Sequence, residues 1–129
     1  RLPYRAAPPV TGGLVLLVED SDDLRAGFRD MLMDLGLSVI EAASVDEAVA
    51  LAADLPDIGL VLSDIRLEGD ATGLDLLDRL KHSGMPCIMM TSLPPEDPLY
   101  RAAAAQTAIL QKPFTARDLA GLIRPEAAQ

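Results

Sequence analysis

The sequence predicts an α/β fold in which helices flank a parallel β-sheet. From Leu14 onward, short apolar runs alternate with longer segments in which apolar residues recur at helical spacing. Runs that are apolar at every position are typical of parallel strands, because helices cover both faces of such a sheet. Five strand–helix units fit into the 129 residues, a length that suits one domain with a single core.

The first two units carry clear signals for the start of a helix. Leu14–Val18 predicts a buried strand, and Ser21 can cap the helix that follows. The apolar stripe of this helix comprises Leu24, Phe28, Met31, Leu32 and Leu35, and Gly36 is a plausible stop. A second strand over Leu37–Ile40 leads to Ser44 and Glu47, whose spacing is that of a capping box.

The remaining three units repeat the alternation. We predict, in chain order, a strand over Ile58–Ser63, a helix over Gly73–His82, a strand over Cys87–Met90, a helix over Pro98–Ala105 and a strand over Ala108–Gln111. Thr115 and Asp118 have the spacing of a further cap and predict a last helix through Leu122.

Composition limits the partners and the compartment that suit this domain. Twenty acidic residues against eleven basic ones, with the basic residues scattered, make nucleic acid a poor partner. Cys87 is the only cysteine and cannot form an internal disulfide, so a reducing, cytoplasmic compartment fits best. No apolar run approaches the roughly 20 residues of a membrane span. Residues 1–13, with three prolines and two glycines, predict a linker before a domain over 14–124 and a tail over 125–129.

Polar residues follow four of the five predicted strands. Glu19 and Asp20 end the first strand and Asp64 the third, while Thr91 and Lys112 end the fourth and fifth. Parallel sheets bind ligands at the carboxyl ends of their strands, so these side chains should lie along one edge. Each residue alone has a commoner structural role as a cap, a turn former or a solvated charge. The combination is what indicates a functional site.

Three carboxylates at one edge repel one another unless a cation joins them. Mg²⁺ typically takes one or two carboxylates together with water and phosphate oxygens, and therefore suits this set. Beside a metal and a lysine, an aspartate can attack phosphorus. Asp64 is placed for that role, and Lys112 and the Thr91 hydroxyl could bind oxygens of the phosphoryl group.

The chain resembles the response-regulator receiver domains over roughly Leu14 to Leu122. The segments that carry the resemblance are Leu16-Leu17-Val18-Glu19-Asp20, Val61-Leu62-Ser63-Asp64-Ile65-Arg66-Leu67, Met89-Met90-Thr91-Ser92 and Gln111-Lys112-Pro113-Phe114. The resemblance implies a flavodoxin-like (βα)5 three-layer sandwich with a parallel sheet of order 2-1-3-4-5.

The resemblance also implies roles for single residues. Asp64 would be the phosphoacceptor, Asp20 and Asp64 the carboxylates that bind Mg²⁺, Glu19 a water-mediated metal partner, Arg66 a metal ligand through its backbone carbonyl, and Thr91 and Lys112 the groups that hold the phosphoryl group. The donor would be a phosphohistidine of a sensor histidine kinase or a histidine phosphotransfer protein. The receiver itself would catalyse the transfer and the later hydrolysis, and a homodimer is compatible with the family.

Three features depart from the common pattern of these receivers. Glu68 stands where many of them carry a proline, and a loop that is one residue longer resembles receivers of hybrid histidine kinases. Ile109 takes the place of an aromatic residue that reports phosphorylation, which puts an aromatic readout in doubt. The Arg66 side chain could reach over the site and change the lifetime of the phosphate.

Other interpretations stay open at this point. The domain could belong to a hybrid sensor histidine kinase or be a stand-alone response regulator. A pseudo-receiver would use the fold only to bind another protein, although Asp64, Thr91 and Lys112 are all intact. The run Asp20-Ser21-Asp22 also resembles the paired aspartates of haloacid-dehalogenase-like phosphohydrolases, but no further acidic pair follows Lys112 closely.

Overall fold

A computed structural model describes residues 13–67 and 69–123 of the chain. The strands are β1 (Leu14–Val18), β2 (Ser38–Ala42), β3 (Ile58–Asp64), β4 (Cys87–Thr91) and β5 (Ala108–Gln111). The helices are α1 (Asp22–Asp34), α2 (Val45–Asp54), α3 (Gly73–Leu80), α4 (Pro98–Ala104) and α5 (Ala116–Ile123). The predicted linker up to residue 12, the predicted tail and Glu68 lie outside the described residues.

The five strands form one parallel sheet of order β2-β1-β3-β4-β5, which confirms the predicted topology. Neighbouring residues of β1 face opposite sides: Val15 and Leu17 enter one core cluster, while Leu16 and Val18 enter another. The first cluster includes residues of α1 and α5, and the second includes residues of α2 and α3. The result is the expected three-layer sandwich, with strands that are apolar on both faces because both are covered.

The predicted bounds of β2 and α3 were wrong by one or two residues. We expected β2 to begin at Leu37 and end at Ile40, but the N–H of Leu37 donates to the carbonyl of Leu32 and so belongs to the end of α1. The strand continues instead to Ala42, which pairs with Val18. Helix α3 ends two residues before the predicted end, and a short 3₁₀ turn follows it.

The predicted caps are largely confirmed. Ser21 accepts from the N–H of Leu24, and Thr115 and Asp118 bond each other's backbone reciprocally. Ser44 caps α2, but the Glu47 carboxylate reaches one residue further back than a capping box requires and accepts from Ala43. In the part of the chain that is described, no helix is both long enough and apolar enough to cross a bilayer.

Candidate functional site

The register of the sheet brings the polar strand ends to one edge. Val18 is level with Ser63, Asp64 is level with Met90, and Thr91 is level with Gln111. Glu19, Asp64, Thr91 and Lys112 therefore lie at the carboxyl edge, as the sequence predicted. Sheet order places β1 and β4 on either side of β3, so Asp64 stands between the ends of its two neighbours.

A lysine and two carboxylates form the centre of this edge. The Lys112 Nζ atom lies 2.5 Å from Asp64 Oδ2 and 3.0 Å from Glu19 Oε1. Glu19 is only 1% exposed and Asp64 only 8% exposed, whereas Asp20 is partly exposed. The site therefore holds two closely spaced carboxylates against one ammonium, which leaves an excess of negative charge.

Burial and pairing change the proton affinities of two of these groups. Burial raises the pKa of Glu19 to about 6, and nearby Asp64 adds to this, while hydrogen bonds from Lys112 and the Ser21 N–H act against it. Burial by itself would lower the pKa of Lys112, but its hydrogen bonds to Asp64 and Glu19 outweigh burial and raise that pKa. Lys112 is therefore a fixed positive charge at neutral pH.

Asp64 is held through both its side chain and the adjoining backbone. The Oδ1 atom of Asp64 accepts from the Arg66 N–H at 3.1 Å, which orients the carboxylate, and the side chain of Arg66 is exposed. On the other side Gly73, the first residue of α3, donates its N–H to the Ile65 carbonyl at 2.7 Å. A Cβ at Gly73 would lie 2.7 Å from the Asp64 carbonyl oxygen. Only a glycine lets α3 approach Asp64 this closely.

Thr91 is buried at the end of β4, and its hydroxyl takes part in a turn. The Thr91 Oγ1 accepts from the Leu93 N–H at 3.0 Å, which leaves the hydroxyl proton available to a ligand. The amide of Gln111 donates to the carbonyls of both Thr91 and Leu93, at 3.2 Å and 2.9 Å. The sequence predicts Gln111 as the end of the last strand but gives no signal for this bridge from β5 to the start of the β4–α4 loop.

Ile109 lies on β5, partly buried among apolar residues. It packs against the core cluster that contains Leu77 and Met89. The position expected to carry an aromatic switch residue is thus occupied by an aliphatic side chain that contributes to the core.

Two further residues contact the site from α1. Arg25 donates to the Glu19 carbonyl at 2.9 Å and pairs with Glu41 of β2 at 3.1 Å, so it ties the end of β1 to its neighbouring strand. The ring of Phe28 lies 5.3 Å from Lys112 Nζ and stacks on Phe114. The sequence indicates Phe28 only as part of an apolar stripe and gives no signal for Arg25, because the partners of both residues are distant in the chain.

The donor set suits a hard divalent cation. Within residues 13–67 and 69–123, no three His, Cys, Asp or Glu side chains are grouped so as to hold a metal ion by themselves. Mg²⁺ does not need such a cage, because it commonly binds through one or two carboxylates and keeps several waters. The excess negative charge at Glu19 and Asp64, with Asp20 next in the chain, fits that mode of binding.

Comparisons with known proteins agree on one family. The family model of the response regulator receiver domain matches residues 15–124. The chain is 31% identical over 111 residues to the phyllosphere-induced regulator PhyR of Methylorubrum extorquens, which covers 84% of this chain and 41% of that protein. It is 34% identical over 115 residues to the sensor kinase CckA of Brucella abortus, covering 85% of this chain and 12% of the kinase.

Solved structures agree as well. The chemotaxis protein CheY4 of Vibrio cholerae superposes with a TM-score of 0.75 at 28% identity, covering 89% of this chain and 98% of that one. The chain thus matches nearly the whole of CheY4 but spans well under two thirds of the two longer relatives.

Proposed function

This chain belongs to the response regulator receiver domain family of two-component signalling, and from that premise we propose that Asp64 accepts a phosphoryl group from a phosphohistidine. The donor would be a sensor histidine kinase or a histidine phosphotransfer protein. The observation that carries the proposal is the position of Lys112, whose ammonium contacts Asp64 and Glu19 at the carboxyl edge of the sheet.

The transfer step follows from the side chains at the site. An Asp64 carboxylate oxygen forms a bond to phosphorus while the bond between phosphorus and the donor's imidazole nitrogen breaks, and the imidazole keeps that electron pair. The Arg66 N–H orients the attacking carboxylate. Lys112 turns from the carboxylate to a phosphoryl oxygen, and the Thr91 hydroxyl donates its proton to another oxygen.

Asp20 and Asp64 would hold Mg²⁺ with their carboxylates, Arg66 would do so with its backbone carbonyl, and Glu19 would contact it through water. Bound there, the metal would neutralise charge on the phosphoryl oxygens and on the clustered carboxylates. The sharing of one lysine by two carboxylates supports this part of the proposal, because Lys112 by itself cannot neutralise the charge of both Glu19 and Asp64.

Intact-protein mass after incubation with acetyl phosphate and Mg²⁺ tests the proposal. We expect a phosphoryl adduct on the wild type, none on Asp64→Asn and none in a metal-free sample. A rapid-quench sample and a beryllofluoride-binding assay control for an adduct that is too short-lived to detect. If all three fail with a folded wild type, the chain is a pseudo-receiver that only binds another protein.

We also propose that the domain is part of a hybrid sensor histidine kinase in the cytoplasm. The match to a sensor kinase over only 12% of that kinase's length supports this, since a receiver would occupy such a share of a multidomain protein. The similarity to PhyR is equally compatible with a shorter regulator. An antibody raised against this domain should detect a native protein several times larger than 129 residues, and sedimentation of the isolated domain would test for a homodimer.

A further inference from the structure

Lys112 has a third neighbour besides its two carboxylates. The centroid of the Phe28 ring lies 5.3 Å from Lys112 Nζ. An ammonium within about 6 Å of an aromatic centroid is attracted to the negative face of the ring, and the attraction grows where water is excluded. Lys112 is only partly exposed, so the attraction acts in a partly dehydrated setting.

The Phe28 ring is itself held in place. It stacks on Phe114, with centroids 5.1 Å apart and ring planes inclined by 16°. Phe28 comes from α1, whereas Phe114 follows Lys112 by two residues, and both pack against the same core cluster. The ring beside the ammonium is therefore fixed by packing from two separate parts of the chain.

We propose that Phe28 is a positioning residue for phosphoryl transfer, whose ring holds the Lys112 ammonium beside Asp64. The inference rests on the function proposed above. Lysine has a flexible four-carbon stem, so holding its ammonium at one point costs side-chain conformational entropy. The attraction to the ring offsets part of that cost. A ring face attracts the charge without accepting a directed hydrogen bond, so the N–H groups stay available for the carboxylates and for phosphate.

The ring matters most once the bond to phosphorus forms. Asp64 then becomes an acyl phosphate, and its carboxylate charge no longer holds the lysine. Glu19 and the Phe28 ring are unchanged by this step. Glu19 and the ring together keep the ammonium close to residue 64, from where it can bind a phosphoryl oxygen.

A ring that only fills the core predicts different behaviour from a ring that attracts a charge. Replacing Phe28 with leucine removes the negative ring face but keeps an apolar side chain, and tyrosine restores an aromatic ring. Fluorinated phenylalanines at position 28 keep the shape of the ring and progressively weaken its negative face. They separate the two roles even if the leucine variant folds poorly.

The test measures the rate of Asp64 phosphorylation by saturating acetyl phosphate with Mg²⁺ in folded protein. We expect Phe28→Leu to slow the reaction by about threefold to tenfold, Phe28→Tyr to restore most of the rate, and stepwise fluorination to slow it in graded fashion. Met31→Leu, which changes a side chain packed against the same core cluster, should leave the rate unchanged. Equal rates in the wild type, the leucine variant and the fluorinated series would overturn the proposal.

A second readout does not depend on phosphorylation. The Phe28 ring should shift the NMR signals of the Lys112 methylene group next to Nζ, and Phe28→Leu should abolish the shift. If the wild type shows the shift but takes no phosphoryl group, the proposed function fails while the contact stands. If the shift is missing in the wild type, the inference about Phe28 fails, whatever the chemistry at Asp64.

Discussion

Adding one methyl group at Gly73 should damage both the fold and the site. A Cβ there would lie 2.7 Å from the Asp64 carbonyl oxygen, 2.9 Å from Met89 Sδ and 3.0 Å from Ile65 Cα. Two of these atoms belong to the backbone and cannot rotate away. To lengthen the closest contact from 2.7 Å to an ordinary 3.4 Å, α3 and β3 must separate by about 0.7 Å.

The size of the effect follows from these contacts. Overpacking of this kind typically costs about 1–3 kcal/mol, and the higher helix propensity of alanine offsets at most about 1 kcal/mol. Because two of the close contacts at Gly73 are to backbone atoms, the cost lies in the upper part of this range, and after the offset we expect Gly73→Ala to lower the free energy of unfolding by about 1–2 kcal/mol. Because the displaced backbone carries Asp64, phosphorylation should slow by about tenfold or more, since an error of about 1 Å can cost a hundredfold.

Gly27 provides a matched control in another helix. It lies inside α1, and a Cβ there would meet no atom within 4 Å. The same substitution should therefore stabilise the protein, by about 0.5–1 kcal/mol, and leave phosphorylation unchanged. Urea unfolding followed by far-UV circular dichroism measures both variants, because the protein has no tryptophan. The reasoning is refuted if Gly73→Ala is as stable as the wild type, or if both variants change stability in the same direction.

Three other predictions concern single hydrogen-bonding groups. Burial raises the pKa of Glu19 from 4.5 to about 6, so the folded protein holds this proton more tightly than the unfolded chain does. As pH rises from 4.5 through 6, the metal-free wild type should therefore lose at most about 2 kcal/mol of stability relative to Glu19→Gln. Equal pH profiles of the two proteins in urea unfolding would contradict this. Gln111→Leu removes the hydrogen bonds to the Thr91 and Leu93 carbonyls, so amide hydrogen exchange in the β4–α4 loop should accelerate by about threefold to tenfold. An unchanged exchange rate would mean that these bonds do not hold the loop. Thr107 donates its hydroxyl to the carbonyl of Cys87 at the start of β4. Thr107→Val should therefore lower the free energy of unfolding by about 1–2 kcal/mol, measured by urea unfolding, with no change in phosphorylation.

Arg25 explains how the acidic end of β1 is supported. Its guanidinium joins the Glu19 carbonyl to Glu41, while the Glu19 N–H donates to the carbonyl of Ala42. The backbone of residue 19 is thus bonded to β2 directly and also through α1. These bonds fix the backbone of residue 19 at the edge of the sheet, which a loop without such bonds would not do.

The amino-acid sequence alone determined the order of the strands and helices and the residues at the strand ends. Apolar runs such as Leu14–Val18 can be read directly, because a strand covered on both faces shows no alternation. Caps such as Ser21 and Thr115 are local, since the side chain bonds a backbone N–H three residues away. The position of Asp64 at a strand end required only that the third apolar run be recognised.

Tertiary structure decided which of these residues meet and how closely. Lys112 lies 93 positions from Glu19 in the chain, and no local pattern reports the contact between their side chains. The same is true of Phe28 beside Lys112 and of Gly73 against the Asp64 carbonyl. The end of β2 shifted for this reason too, because a strand extends as far as its neighbour offers hydrogen bonds, and Val18 offers a partner to Ala42. Local propensities act over a few residues, whereas the site is built from segments that only the folded sheet brings together.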